Sequence, residues 1–164
     1  MLRIKSVTRR SLTALALIPA MAAVAITAAC GKDQVLDIPS NPAVEVYAAS
    51  LGVGIANMTK KSDALYVQDL AVGTGADVVA GKTITVKYSG WLINGTPFDS
   101  GTLSNLAIGT GRVITGWDLG IPGMKVGGKR KLVIGSALGY GRTGSGPIPA
   151  NATMVFDVEV LSMQ

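Results

Sequence analysis

Apolar and polar positions alternate in short runs over the second two thirds of the chain, and glycine-rich turns separate the runs. Leu65–Leu70 reads as a first strand, closed by Gly73-Thr74-Gly75. Thr83–Tyr88 alternates with period two, which places Ile84, Val86 and Tyr88 on one face. Trp91–Ile93 runs into Asn94-Gly95, two residues that tolerate positive φ and so favour a tight hairpin, and Thr96–Asp99 returns with Phe98. Leu132–Ile134 is a further strand. Met154–Leu161 is the last, with Met154, Phe156, Val158 and Val160 inward and Asp157 and Glu159 outward.

One stretch breaks this period. In Val113–Met124, the positions Val113, Ile114, Trp117 and Ile121 recur at spacings that put them on one face of a short helix, kept brief by Gly116, Gly120 and Pro122-Gly123. About five antiparallel strands with one apolar face need a cover, and this helix is the candidate. The expected class is α+β: an antiparallel half-barrel sheet wrapped around one short α-helix. Only two tryptophans and two phenylalanines occur in 164 residues. A Trp between two glycines can be approached closely, so Trp117 reads either as the floor of an apolar pocket or as a plug in the core.

The first thirty residues follow another pattern. Arg3, Lys5, Arg9 and Arg10 carry all the early charge, and an uncharged Ala- and Leu-rich run follows from Ser11 to Ala29. A basic start, an apolar middle and small residues before a cut are the marks of a signal peptide; a membrane anchor helix is the competing reading. Cys30, the single cysteine, stands where the leader ends. Alone it forms neither an internal disulfide nor a zinc site. Its position resembles the lipid-modified cysteine of bacterial lipoproteins; cleavage nearby would instead release a soluble secreted protein. Arg9-Arg10 is similar to a twin-arginine export signal. Residues 31–62 have no sustained period and read as a linker with one short helix, which leaves 63–164 as the domain.

Charge alters the picture only once the leader is set aside. Four of the fifteen basic residues lie in it, which leaves eleven against ten acidic residues beyond. No nucleic-acid partner is implied, and Lys129-Arg130-Lys131 reads as a solvated strand end. Two glycine motifs fail on context. Ala76–Thr83 ends in Gly-Lys-Thr but opens a strand, where a phosphate loop must open a helix. Gly139–Gly144 fits G-x-G-x-x-G but runs into Ser-Gly-Pro-Ile-Pro. Histidine is absent, which removes a histidine base, a serine triad and the usual zinc sites; no metal or other cofactor is expected. Asp118 beside Trp117 reads as outward-facing.

Six blocks in order carry a resemblance: Val86-Lys87-Tyr88-Ser89-Gly90, N-G-T-P-F-D-S at 94–100, V-I-T-G-W-D-L-G at 113–120, Met124-Lys125-Val126-Gly127-Gly128, Leu138-Gly139-Tyr140-Gly141, and I-P-A-N-A-T-M-V-F-D-V-E-V at 148–160. Together they resemble the FKBP-type peptidyl-prolyl cis-trans isomerases, particularly short exported bacterial ones. That resemblance implies a half-barrel around a short helix and a pocket formed by Tyr88, Phe98, Asp99, Val113, Ile114, Trp117, Tyr140 and Phe156. It implies catalytic roles for Tyr88, Asp99, the Ile114 backbone N–H and Tyr140, with the others binding substrate. Ser104, Leu106 and Leu138 stand where many members have an aromatic rim, so Leu106 and Leu138 join the substrate-binding set. The loop after Asp99, S-G-T-L-S-N, lacks the arginine that holds the aspartate in some relatives, and the 142–149 loop is shorter than in those relatives. The implied activity is rotation of X-Pro bonds in envelope or secreted proteins. Proline-containing polypeptides are the implied substrates, and the family's macrolide inhibitors are candidate ligands. The expected protein is a monomer, tethered to the envelope through lipid on Cys30. A noncatalytic chaperone or peptide-binding module using the same groove is the alternative.

Overall fold

The computed structural model describes residues 38–164; the leader and Cys30 lie outside the described residues. Six strands form one antiparallel sheet: β1 (Thr59–Ser62), β2 (Leu65–Ala71), β3 (Thr83–Leu92), β4 (Pro97–Ala107), β5 (Lys129–Ile134) and β6 (Met154–Met163). Their spatial order is β1-β2-β5-β6-β3-β4, so β1 and β4 are free edges and the sheet is not a closed barrel. Among the described residues one α-helix, α1 (Thr115–Gly120), forms, and it packs against β2 and β5.

Alternation along the strands sorts side chains onto two faces. The inner face buries Leu65, Val67, Ile84, Val86, Leu132, Ile134, Met154, Phe156, Val158 and Val160 beneath Trp117 and Ile121 of the helical segment. The β3–β4 hairpin turns at Gly95, whose φ of +87° suits the residue that the Asn-Gly pair supplies. Both strands outrun their sequence limits: β3 continues through Ser89 and Gly90, and β4 continues past Asp99 to Ala107.

Residues 42–62, expected as a linker with a single short helix, take a different form. They make three 3-10 turns (Pro42–Val44, Ala49–Leu51, Ile55–Asn57) and then β1, the sixth strand. Leu51 and Met58 bury against Tyr66, Val133 and Val155, the residues that alternation turns to the outer face. Turns of three residues have no 3.6-residue period to display, and β1 is T-K-K-S with no alternation.

The basic cluster also corrects the sequence reading. Arg130 and Lys131 are each only 6% exposed. As neighbours on β5 they point to opposite faces. Arg130 pairs with Asp69 (Nε–Oδ1 2.6 Å) and Lys131 with Asp157 (Nζ–Oδ1 2.6 Å). A buried cation next to apolar residues is stable when its carboxylate comes from the neighbouring strand, and no local pattern reveals that partner.

Candidate functional site

The site starts from α1. Ile114 is its N-cap residue; its carbonyl accepts from the Trp117 and Asp118 amides, while amides at a helix start have no partner inside the helix. A Cβ on Gly116 would lie 2.5 Å from Ile134 Cγ2, and one on Gly120 would lie 2.9 Å from Leu132 Cδ2. The two glycines therefore let the helix lie directly on β5. At its far end Arg130 donates to the Gly120 carbonyl (2.8 Å), a cation satisfying a helix C-terminus. These contacts fix where the one buried side chain between the glycines can point.

That side chain is Trp117, 4% exposed. Its ring meets Tyr88 edge to face at 5.2 Å and Phe156 at 5.4 Å, and Phe156 meets Phe98 in the same way at 5.4 Å. The indole nitrogen is buried and has no hydrogen-bond partner among the described residues, so packing alone holds the ring.

Asp118 is not directed to solvent. It is half-buried, and its carboxylate accepts from the backbone amides of Gly109 (2.7 Å) and Gly111 (2.8 Å). Two charge-assisted bonds from one carboxylate hold the loop that leads into Arg112, Val113 and Ile114.

Over the indole lies an open cavity of about 400 Å³, within the range of small-ligand sites. Its wall comprises Tyr88, Phe98, Asp99, Val113, Ile114, Trp117, Tyr140 and Phe156, together with Leu103, Gly111 and Arg112. Trp117 is thus both a core residue and a pocket wall; the two sequence readings are not exclusive. Leu106 and Leu138 are absent from that wall and pack, partly buried, against the inner core. Leu103 was missed because the strand was ended at Asp99; steps of two from Asp99 reach it, whereas steps of two from Phe98 reach Leu106 instead.

Within the cavity the Tyr88 hydroxyl donates to Asp99 Oδ2 at 2.6 Å. Burial, followed by that hydrogen bond and the carboxylate's charge, pushes the Tyr88 phenol up to about 12. Its proton therefore stays in place at neutral pH. Tyr140, 38% exposed, stands at the rim. Among the described residues no three His, Cys, Asp or Glu side chains gather as a metal site, and no helix is long and apolar enough to cross a membrane. The arrangement suits an apolar ring, with polar groups at the margin to orient what is attached to it.

Comparison with known proteins is consistent with this geometry. A family model described as FKBP-type peptidyl-prolyl cis-trans isomerase matches residues 75–161. The FK506-binding protein of Neisseria meningitidis serogroup A is 51% identical over 104 residues, spanning 60% of this chain and 95% of that one. The crystal structure of AtFKBP13 superposes with a TM-score of 0.57 at 39% identity, covering 61% of this chain and 93% of that one. That of FkpA from Escherichia coli gives 0.57 at 37% identity, over 65% and 51%.

Proposed function

The chain belongs to the FKBP-type peptidyl-prolyl cis-trans isomerase family, and on that premise we propose how its cavity turns an X-Pro bond. The observation that carries the reading is the cavity floored by Trp117, with the Tyr88–Asp99 pair in its wall. The barrier to rotation, about 20 kcal/mol, arises from amide resonance. A twisted amide has lost that resonance and is less polar than the planar form, so a dry site favours it. No nucleophile or proton transfer is required, which is compatible with a chain lacking histidine. Shortening rotation from tens of seconds to milliseconds requires about 5–6 kcal/mol, within reach of desolvation, shape and one or two placed hydrogen bonds.

In this mechanism the pyrrolidine ring rests on Trp117 between Phe98, Val113 and Phe156. The Ile114 N–H, at the helix start, donates to a substrate carbonyl. Tyr140 offers its hydroxyl from the rim, and Asp99, held by Tyr88, lies beside the twisting bond. Leu106 and Leu138 act through the core behind the wall. The macrolide FK506, named for the Neisseria relative, would compete for the same floor. The basic, apolar and small-residue sequence of the leader supports an exported protein lipid-anchored through Cys30 and acting on envelope polypeptides. Weighing the processed N-terminus tests the anchor.

The activity test is isomerisation of short X-Pro peptides by the full chain. Acceleration that falls about tenfold or more in Trp117→Leu is expected. A rate no better than background would leave a groove that binds without catalysing.

A further inference from the structure

The segment that covers the outer face also reaches the base of the turn that carries Tyr140, although it lies N-terminal to the residues the family model matches. Ser40 and Ser136 exchange two hydrogen bonds. The Ser40 amide donates to Ser136 Oγ at 3.0 Å, and the Ser136 amide donates to Ser40 Oγ at 2.7 Å. Ser136 is 1% exposed. Its carbonyl accepts from Gly139 (3.0 Å) and Gly141 (2.9 Å), the two residues that flank Tyr140. One buried serine thus joins the N-terminal strap to the turn that presents the rim tyrosine.

The seat is shaped for this strap. A Cβ on Gly135 would lie 2.9 Å from the Ser40 carbonyl oxygen and 3.0 Å from Pro42 Cδ, so the strap passes where only glycine leaves room. Beyond the joint the strap is fastened independently: Thr153 donates to Glu45 Oε1 (3.2 Å) and the Ala48 amide donates to the Ile93 carbonyl (2.8 Å), while Tyr47 donates to the Pro42 carbonyl within the strap (2.8 Å).

We infer that Ser40 and Ser136 are positioning residues: through them the strap fixes Tyr140 and so sets how tightly the cavity holds the residues flanking a proline. This rests on the reading of the cavity as an X-Pro site. Removing the Ser40 hydroxyl takes a partner from the buried Ser136 amide and frees the turn on which Tyr140 stands. Binding should suffer more than the rotation step, because the floor and the Tyr88–Asp99 pair are untouched.

The test uses the full chain with Ser40→Ala, Ser40→Thr and Thr153→Val, the last loosening the strap away from the joint. Peptide kinetics and hydrogen exchange at the Gly139 and Gly141 amides are the two readouts. Ser40→Ala should raise KM about three- to tenfold with kcat within about twofold of the parent, and Ser40→Thr should restore it. Thr153→Val should leave KM in place even where it lowers Tm. In a Tyr140→Phe background, Ser40→Ala should add less than about twofold, since coupled residues are not additive. Unchanged KM in Ser40→Ala, an equal rise in Thr153→Val, or full additivity with Tyr140→Phe would each overturn the inference. Should the unsubstituted chain turn over no peptide, the cavity's reading fails separately. Exchange then decides the joint: faster exchange in Ser40→Ala alone supports it, and unchanged exchange overturns it.

Discussion

The two faces of the sheet bury their residues by different means. On the inner face a dense apolar layer meets a single helix, and the gap beside that helix is the cavity. On the outer face a few residues (Tyr66, Val133, Val155) are covered by turns of the strap, and further along the same face Lys131 and Asp157 pair in partial burial. The inner face combines packing with binding; the outer face is chiefly packing. Neighbours on one strand therefore carry different burdens, and substitutions at such neighbours separate stability from activity.

The sharpest separation is on β6. Phe156 and Val155 are adjacent and almost fully buried, on opposite faces. Phe156→Ala should cost about 3–5 kcal/mol and, with the cavity's aromatic wall gone, most of the isomerase activity of the molecules that stay folded. Val155→Ala should cost about 1–3 kcal/mol, with kcat/KM per folded molecule unchanged. Denaturant unfolding beside peptide kinetics reads both. Equal activity losses would break the division of labour.

A smaller contrast lies in two of the three β5 cations, Arg130 and Lys131. Asp157→Asn leaves Lys131 buried beside a neutral partner and should cost about 2 kcal/mol without affecting turnover. Asp69 is more open to solvent than Asp157, with 45% of its side chain exposed against 17%, so Asp69→Asn should cost nearer 1 kcal/mol. Arg130, however, also holds the Gly120 carbonyl at the end of the Trp117 helix. The Asp69 change should therefore lower kcat/KM by about twofold, although it costs less stability. A turnover loss in Asp157→Asn, or none in Asp69→Asn, would remove the link between that arginine and the floor.

The same contrast explains what was legible in the sequence. Inner-face residues are read by periodicity: Ile84, Val86 and Tyr88 on one strand, and Met154 through Val160 on another. Trp117 was conspicuous because large rings are scarce here and glycines flank it. The outer face is covered by short turns and by T-K-K-S, which carry no period, so the strap read as a spacer. Charge misled for a related reason. Arg130, Lys131 and Asp118 look solvated when their partners, Asp69, Asp157 and two loop amides, are out of local view. Leu106 and Leu138 entered the site through a resemblance of position, yet pack behind the wall, while Leu103 lay beyond a strand that was ended too early.

The subtlest contrast is between two phenols, one for each face. Tyr88 has its pKa pushed up to about 12 by burial and by Asp99, and Tyr47 in the strap is pushed higher still, chiefly by burial and then by Glu45. An ordinary tyrosine ionises near 10. Because the folded value of Tyr88 lies above the unfolded one, its contribution to stability is complete below about pH 10 and is lost as pH rises through 12. In a native alkaline titration followed by phenolate absorbance, the difference between the parent and Tyr88→Phe should be one step near 12. The corresponding difference for Tyr47→Phe should lie above it. A Tyr88 step near 10 would mean that the phenol neither donates to Asp99 nor sits in a dry wall, and the cavity wall would lose its ordered polar pair. A Tyr47 step below that of Tyr88 would mean that the strap is open to water, and the two faces would then differ in their cover as well as in their chemistry.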